Sequence, residues 1–113
     1  MQTKRQTLSP RTYHALQLFA NLIEEARRHR RWTQRELAER IGISRATLQS
    51  LLKGDSSVAI GSYFEAATLL GVPLFGNDSG NLADLAQQQQ QRMTLLPGKI
   101  VHRNDENLPG DDF

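Results

Sequence analysis

Residues 33–54 read T-Q-R-E-L-A-E-R-I-G-I-S-R-A-T-L-Q-S-L-L-K-G and leave the chain little choice of local structure. Thr33 followed three residues on by Glu36 is a capping box: the hydroxyl accepts an orphan backbone N–H and the carboxylate reaches back to another. Leu37, Ala38 and Ile41 then recur on one helical face. Gly42 falls where that helix must end in a left-handed residue, a conformation glycine adopts without a Cβ clash. Ile43 plugs the corner, and Ser44 caps a second short helix. Leu48, Leu51 and Leu52 give this second helix an apolar inner face, and Lys53-Gly54 ends it. Its outer face carries Arg45, Ala46, Gln49 and Ser50.

Two short helices joined at a tight glycine turn, greasy inside and hydrogen-bonding outside, are the layout of a helix-turn-helix whose second helix enters a DNA major groove. The bland reading is an αα-hairpin that only packs. Charge weighs against it. Net charge is +2, but residues 1–53 hold eleven Lys/Arg against four Asp/Glu, a net +7, and residues 54–113 hold three against eight, a net −5. Cations beside the hairpin release counterions from DNA. The acidic half is repelled by DNA and is expected to face solvent or another partner.

With 113 residues, 38% of them hydrophobic, the chain suits one small domain with an extension. It has no cysteine, hence no disulfide framework or thiolate metal site. The start, MQTKRQTLSP, has no apolar signal core, and no run approaches the ~20 apolar residues that span a bilayer. The expectation is a soluble, cytoplasmic, nucleoid-associated protein with no membrane partner. There is no P-loop or glycine-rich nucleotide fingerprint, and His14, His29 and His102 are scattered without companion cysteines. No catalytic residue, metal or cofactor is expected.

In chain order, residues 1–8 form a polar arm containing Lys4 and Arg5. Ser9-Pro10 starts a helix that runs to about Arg30, with Leu16, Phe19, Ala20, Ile23 and Ala26 as its stripe. Glu24 and Glu25 precede Arg28 and His29 at i,i+4. The run Arg27 to Arg31 opposes the helix dipole and is also a candidate phosphate-facing edge. Trp32 is expected to pack partly against the bundle. Val58 and Ile60 are expected to tuck beneath it. Gly61-Ser62 is expected to open a fourth helix with Tyr63, Ala66, Ala67 and Leu70 inward, closed by Gly71 and Val72-Pro73. Leu74-Phe75 reads as a buried pair, with Phe64 and Leu69 off the main stripe. A fifth helix starts near Asn81, with Leu82, Leu85, Ala86, Met93 and Leu96 on one face and a glutamine run, Gln87 to Gln91, prolonging it. From Pro97 the composition resists packing. Residues 99–103 have strand character, and a lone strand needs a second chain. Ile100, Val101 and the terminal Phe113 are the candidate partner-binding positions of this tail.

The stretch from about Ile23 to Phe75, with T-Q-R-E-L-A-E-R-I-G-I-S-R-A-T-L, then L-K-G, then A-A-T-L-L-G-V, resembles the Xre/Cro-type helix-turn-helix domain of phage and bacterial repressors. The resemblance implies an all-α fold: a compact five-helix, lambda-repressor-like bundle, here with a C-terminal tail that adds a short strand at a dimer interface. It implies operator DNA as ligand and a homodimer as the binding unit. It places Arg45, Ala46, Gln49 and Ser50 at base edges and Gln34 on phosphate. Arg31, Thr33, Arg35, Arg40, Thr47 and Lys53 join Gln34 as phosphate-contacting candidates. One departure is visible: many members have glutamate two residues before the closing glycine, where this chain has Leu52. That removes a polar interaction from the bundle.

The polar extension ending in L-P-x-x-x-x-x-R, acidic residues and D-D-F resembles the HipB-like antitoxins, which are encoded beside a HipA-like serine/threonine kinase toxin. This likeness implies an antitoxin that represses its own operon and neutralises the kinase by forming a complex with it. A stand-alone regulator without a toxin is the second reading. The DNA-binding half permits repression and activation equally, and the resemblance favours repression. The expected organisation is an arm at 1–8, a DNA-binding domain at 9–76, a fifth-helix dimerisation extension at 77–96 and a partner-binding or disordered tail at 97–113.

Overall fold

Ile23, Leu37, Leu48, Leu51 and Tyr63 are the largest side chains wholly sealed from solvent, and they come from four different helices. The computed structural model describes residues 7–76 and 81–99. Its helices are α1 (Pro10–His29), α2 (Gln34–Ile41), α3 (Arg45–Leu52), α4 (Ile60–Leu70) and α5 (Leu82–Met93). The chain divides into two units, residues 1–79 and 80–113. The first holds α1 to α4. There α1 packs on α3 and α4, and α2 packs on the same pair. The described residues are all-α, with five helices, and the helix order is that of a lambda-repressor-like domain. The strand expected near residues 99–103 falls almost wholly outside the described residues, as do Ile100, Val101, His102 and Phe113.

The core is continuous because each helix supplies residues at helical spacing. Ala20 and Ile23 come from α1, Leu37 and Ala38 from α2, Leu48 and Leu51 from α3, and Tyr63, Ala66, Ala67 and Leu70 from α4. Leu16, Phe19, Ala26, Trp32, Ile41, Ile43, Leu52 and Val58 pack around them. Tyr63 stacks on Phe19 at 5.8 Å between ring centres and donates its hydroxyl to the Asp55 carbonyl at 2.7 Å. Burial first, and the nearby Asp55 charge second, push the Tyr63 phenol up to about 12.

Several sequence expectations need correction. Ser9 has the extended backbone of an N-cap, yet its hydroxyl donates to the Thr12 hydroxyl at 3.1 Å rather than accepting a backbone N–H. α4 opens at Ile60, one residue before Gly61, with Ala59 as a cap that offers no side chain. Ile60 is 67% exposed, not tucked under the bundle. It lies in the first turn, ahead of the buried stripe, which starts at Tyr63, and a first-turn residue is buried only where a neighbouring element extends over it. The Leu74-Phe75 pair splits. Leu74 packs against the core, whereas Phe75 is 81% exposed and touches Phe64 at 6.0 Å between ring centres. Phe75 lies in a turn at φ +55, which takes the chain away from the core directly after Leu74.

Candidate nucleic-acid interface

The end of α1 sets where the hairpin begins. Arg27 holds Glu24 through two parallel hydrogen bonds, at 2.9 and 2.8 Å, and donates a third to the Trp32 carbonyl at 2.6 Å. Arg28 adds a bond to the same carboxylate at 2.8 Å. The hydrogen bond from Arg27, partly offset by burial, holds the Glu24 carboxyl below its ordinary value. The chain then reverses at Arg31, with φ +59, where a glycine would be the usual choice. Trp32 N–H reaches back to the Arg27 carbonyl at 3.2 Å. Trp32 is half-buried, with the guanidinium of Arg40 4.3 Å from its ring centre and that of Arg30 at 5.7 Å.

α2 starts on the capping box. Glu36 N–H donates to the Thr33 hydroxyl at 3.0 Å, and Thr33 N–H donates to the Glu36 carboxylate at 2.8 Å. The Thr33 side-chain oxygen is thereby engaged, so any anion placed there meets chiefly the free N–H groups of the first turn. Gln34 is half-buried at the first helical position. Arg35 is exposed and paired loosely with Glu39 at 3.4 Å. Gly42 ends the helix at φ +88. Ser44 caps α3 by accepting Thr47 N–H at 3.0 Å, and its hydroxyl donates to the Thr47 hydroxyl at 2.9 Å.

α3 therefore presents Arg45, Ala46 and Gln49 to solvent, with Arg45 and Gln49 one turn apart on the same strip. Among the described residues Arg45 makes no ion pair. Ser50 and Thr47 are half-buried, so the outer face is narrower than the sequence suggests. Lys53 is exposed, and its carbonyl accepts the Gln17 side-chain N–H at 2.7 Å, tying α3 to α1. Gly54, buried at φ +77, permits that tie: a Cβ there would lie 2.6 Å from the Gln17 amide nitrogen.

Residues 23–76 match the family model described as helix-turn-helix. This segment is an Xre/Cro-type helix-turn-helix domain. The match supports a DNA-binding regulator of transcription. No curated protein and no solved structure matches the chain.

Within the helix-turn-helix domain the structure gathers Arg45, Ala46 and Gln49 on one exposed face of α3 and keeps Gln34 at the start of α2. Arg40 lies six residues beyond Gln34, a rotation of roughly 240° around the helix, and faces Trp32. Sequence reading missed three ties: Arg27 to Glu24 and Trp32, Arg40 to Trp32, and Gln17 to Lys53. The i,i+3 spacing of Glu24 and Arg27 was a usable signal for the first. Leu52, standing where many family members have glutamate, packs half-buried against the core. No group of three His, Asp or Glu side chains gathers into a metal-binding cluster among the described residues, and no described helix is long and apolar enough to cross a membrane.

Proposed function

We propose that this regulator is an operator-binding repressor that acts as a homodimer on an inverted repeat in the cytoplasm. The observation that carries the reading is the exposed Arg45–Gln49 strip on a helix whose position is fixed from both ends, by the Ser44 cap and by the Gln17–Lys53 tie. Arg45 donates to a guanine edge, and Gln49 suits adenine. Ala46 gives close approach or a thymine-methyl contact, and Ser50 adds a shorter-range polar contact at the edge of the strip. The α2 N-terminus at Thr33 and Gln34 receives a phosphate, aided by Arg31, Arg35, Thr47 and Lys53. Arg40 contributes charge at longer range. Two reading heads on a twofold axis sit ~34 Å apart, one turn of duplex.

The test is selection of binding sites from random duplexes with the full chain, followed by titration of Arg45→Ala on the selected site and on single-base variants. The expected result is an inverted repeat, with Arg45→Ala losing discrimination at one base of each half-site, worth ~1–3 kcal/mol. An equal loss on all sequences makes Arg45 a phosphate contact and removes the base-reading assignment.

The acidic C-terminal half favours a second role, as the antitoxin of a HipA-like kinase docked through residues 97–113, with Ile100, Val101 and Phe113 as anchors. Pull-down with the full chain beside a chain stopped after Leu96 tests it. Capture of a kinase-like protein by the full chain alone supports the antitoxin. Recovery of DNA and self only, by both chains, leaves a stand-alone regulator.

A further inference from the structure

The first turns of α1, residues 10–22, precede the segment that matches the helix-turn-helix family. Up to Ile23 the chain holds Lys4, Arg5, Arg11 and His14 and no acidic side chain; the first is Glu24. Arg11 falls in the first turn of α1, which has no acidic residue either. A cation there is repelled by the positive end of the helix dipole, so its charge does not serve the helix.

The structure lays this half of α1 along the loop that follows α3. Tyr13, His14 and Gln17 form one wall of an open groove, and Lys53, Asp55 and Ser56 form the other. The loop is held in place from two sides. Gln17 donates to the Lys53 carbonyl at 2.7 Å, and Tyr63 donates to the Asp55 carbonyl at 2.7 Å. The carboxylate of Asp55 accepts the Ser57 N–H at 2.8 Å and the Ser57 hydroxyl at 2.7 Å, so its charge is partly met within the loop. His14, Lys53 and Ser56 are exposed, and Tyr13 is 51% exposed. Arg11 lies one turn before His14 on the same side of the helix. The eight residues of α3 make a helix ~12 Å long, about the width of a major groove. With Arg45 on a base edge at one end, the loop at the other end comes within reach of the sugar–phosphate wall.

We propose that this groove seats the DNA backbone beside each half-site. Lys53, Ser56, His14 and Arg11 donate to phosphate oxygens, and the Tyr13 ring lies against a deoxyribose. The inference rests on α3 as the reading helix and adds a face of α1 that the family segment does not supply. Contacts of this kind fix the register of the protein on the duplex and carry no sequence information.

The test compares the full-length chain with Arg11→Gln/His14→Ala on the selected operator. Both positions are exposed, and matched thermal melts verify the fold. The double variant is expected to flatten the slope of log affinity against log salt by ~0.9 for each phosphate released. Its loss of affinity should be equal on the operator and on single-base variants. Hydroxyl-radical footprinting should show one patch of backbone protection lost in each half-site and the rest kept. Arg11→Glu separates contact from support. A carboxylate in the first turn favours the helix, so this variant should melt no lower than the wild type and yet bind DNA more weakly than Arg11→Gln. An unchanged slope and footprint overturn the proposal. So does a weakening of every protected position together with lost discrimination at the Arg45 base, which makes this face a support for α3 and not a contact. A wild-type chain that protects no duplex sinks the reading of α3 and this inference with it. A double variant that binds the operator with its full footprint removes the groove alone.

Discussion

The guanidinium of Arg40 lies 4.3 Å from the centre of the Trp32 ring, so the last turn of α2 is pinned to the corner where α1 hands over to it. A cation over a half-buried indole contributes on the order of 1 kcal/mol. Arg40→Ala should lower stability by that amount and shift the emission of Trp32, the one tryptophan of the chain. The same variant tests the long-range phosphate role. Removing a cation that neutralises a phosphate flattens the slope of log affinity against log salt by ~0.9 for each phosphate released. An unchanged slope with an altered emission assigns Arg40 to the corner alone.

Glu24 gives a pH signature. Its carboxyl is held below the ordinary value, first by the Arg27 hydrogen bond, so the folded state favours the charged form. The stabilisation is fully present above the unfolded carboxyl value, near pH 4.5, and is lost as pH falls through the lower folded value. Glu24→Gln should be less stable at pH 7 by about 1 kcal/mol, since the amide offers Arg27 one neutral acceptor oxygen in place of a two-oxygen carboxylate. The gap to the wild type should narrow in urea melts as the pH is taken down from 4.5. A gap that stays constant would show that the pair contributes shape and not charge.

Tyr63 acts at the other end of the scale. Its phenol is pushed up to about 12, so the folded state holds its proton where the unfolded state releases it, above about 10. The Tyr63 contribution to stability should be flat below pH 10 and fall between 10 and 12. Tyr63→Phe should cost about 1 kcal/mol at neutral pH by leaving the Asp55 carbonyl without that donor. It should also abolish this part of the alkaline loss, as thermal melts across that window would reveal.

Gly54→Ala should be costly for two separate reasons. The residue sits at φ +77, and the new methyl meets the Gln17 amide at 2.6 Å. Backbone strain alone is about 1–2 kcal/mol. Adding Gln17→Ala should relieve the side-chain clash and leave the strain and the 3.2 Å approach to the Leu16 carbonyl, so the double variant should recover part of the loss in a denaturant titration.

The hairpin was fully legible in the residue order. The Thr33–Glu36 box, Gly42 at positive φ and the Ser44 cap all stand where the sequence puts them. Each of these is an interaction within four residues, set by backbone sterics and local hydrogen bonding. Helical spacing likewise selected the buried faces of α1 to α4, because a residue's angular position on a helix follows from its number. What spacing could not supply was depth and partner. Ile60 and Phe75 carry the right hydrophobicity but meet no neighbouring element that covers them. Ser50 and Thr47 carry the right polarity for the outer face but are half-covered. Arg40 over Trp32 and Gln17 on Lys53 join residues eight and thirty-six positions apart. Those pairings depend on how helix axes cross, a property of the packed bundle. Short-range sterics, written into the order of residues, dictate the helices, their caps and their inward faces. The crossing of helices in the folded bundle dictates the rest: which outward side chains are held and which are left to meet DNA.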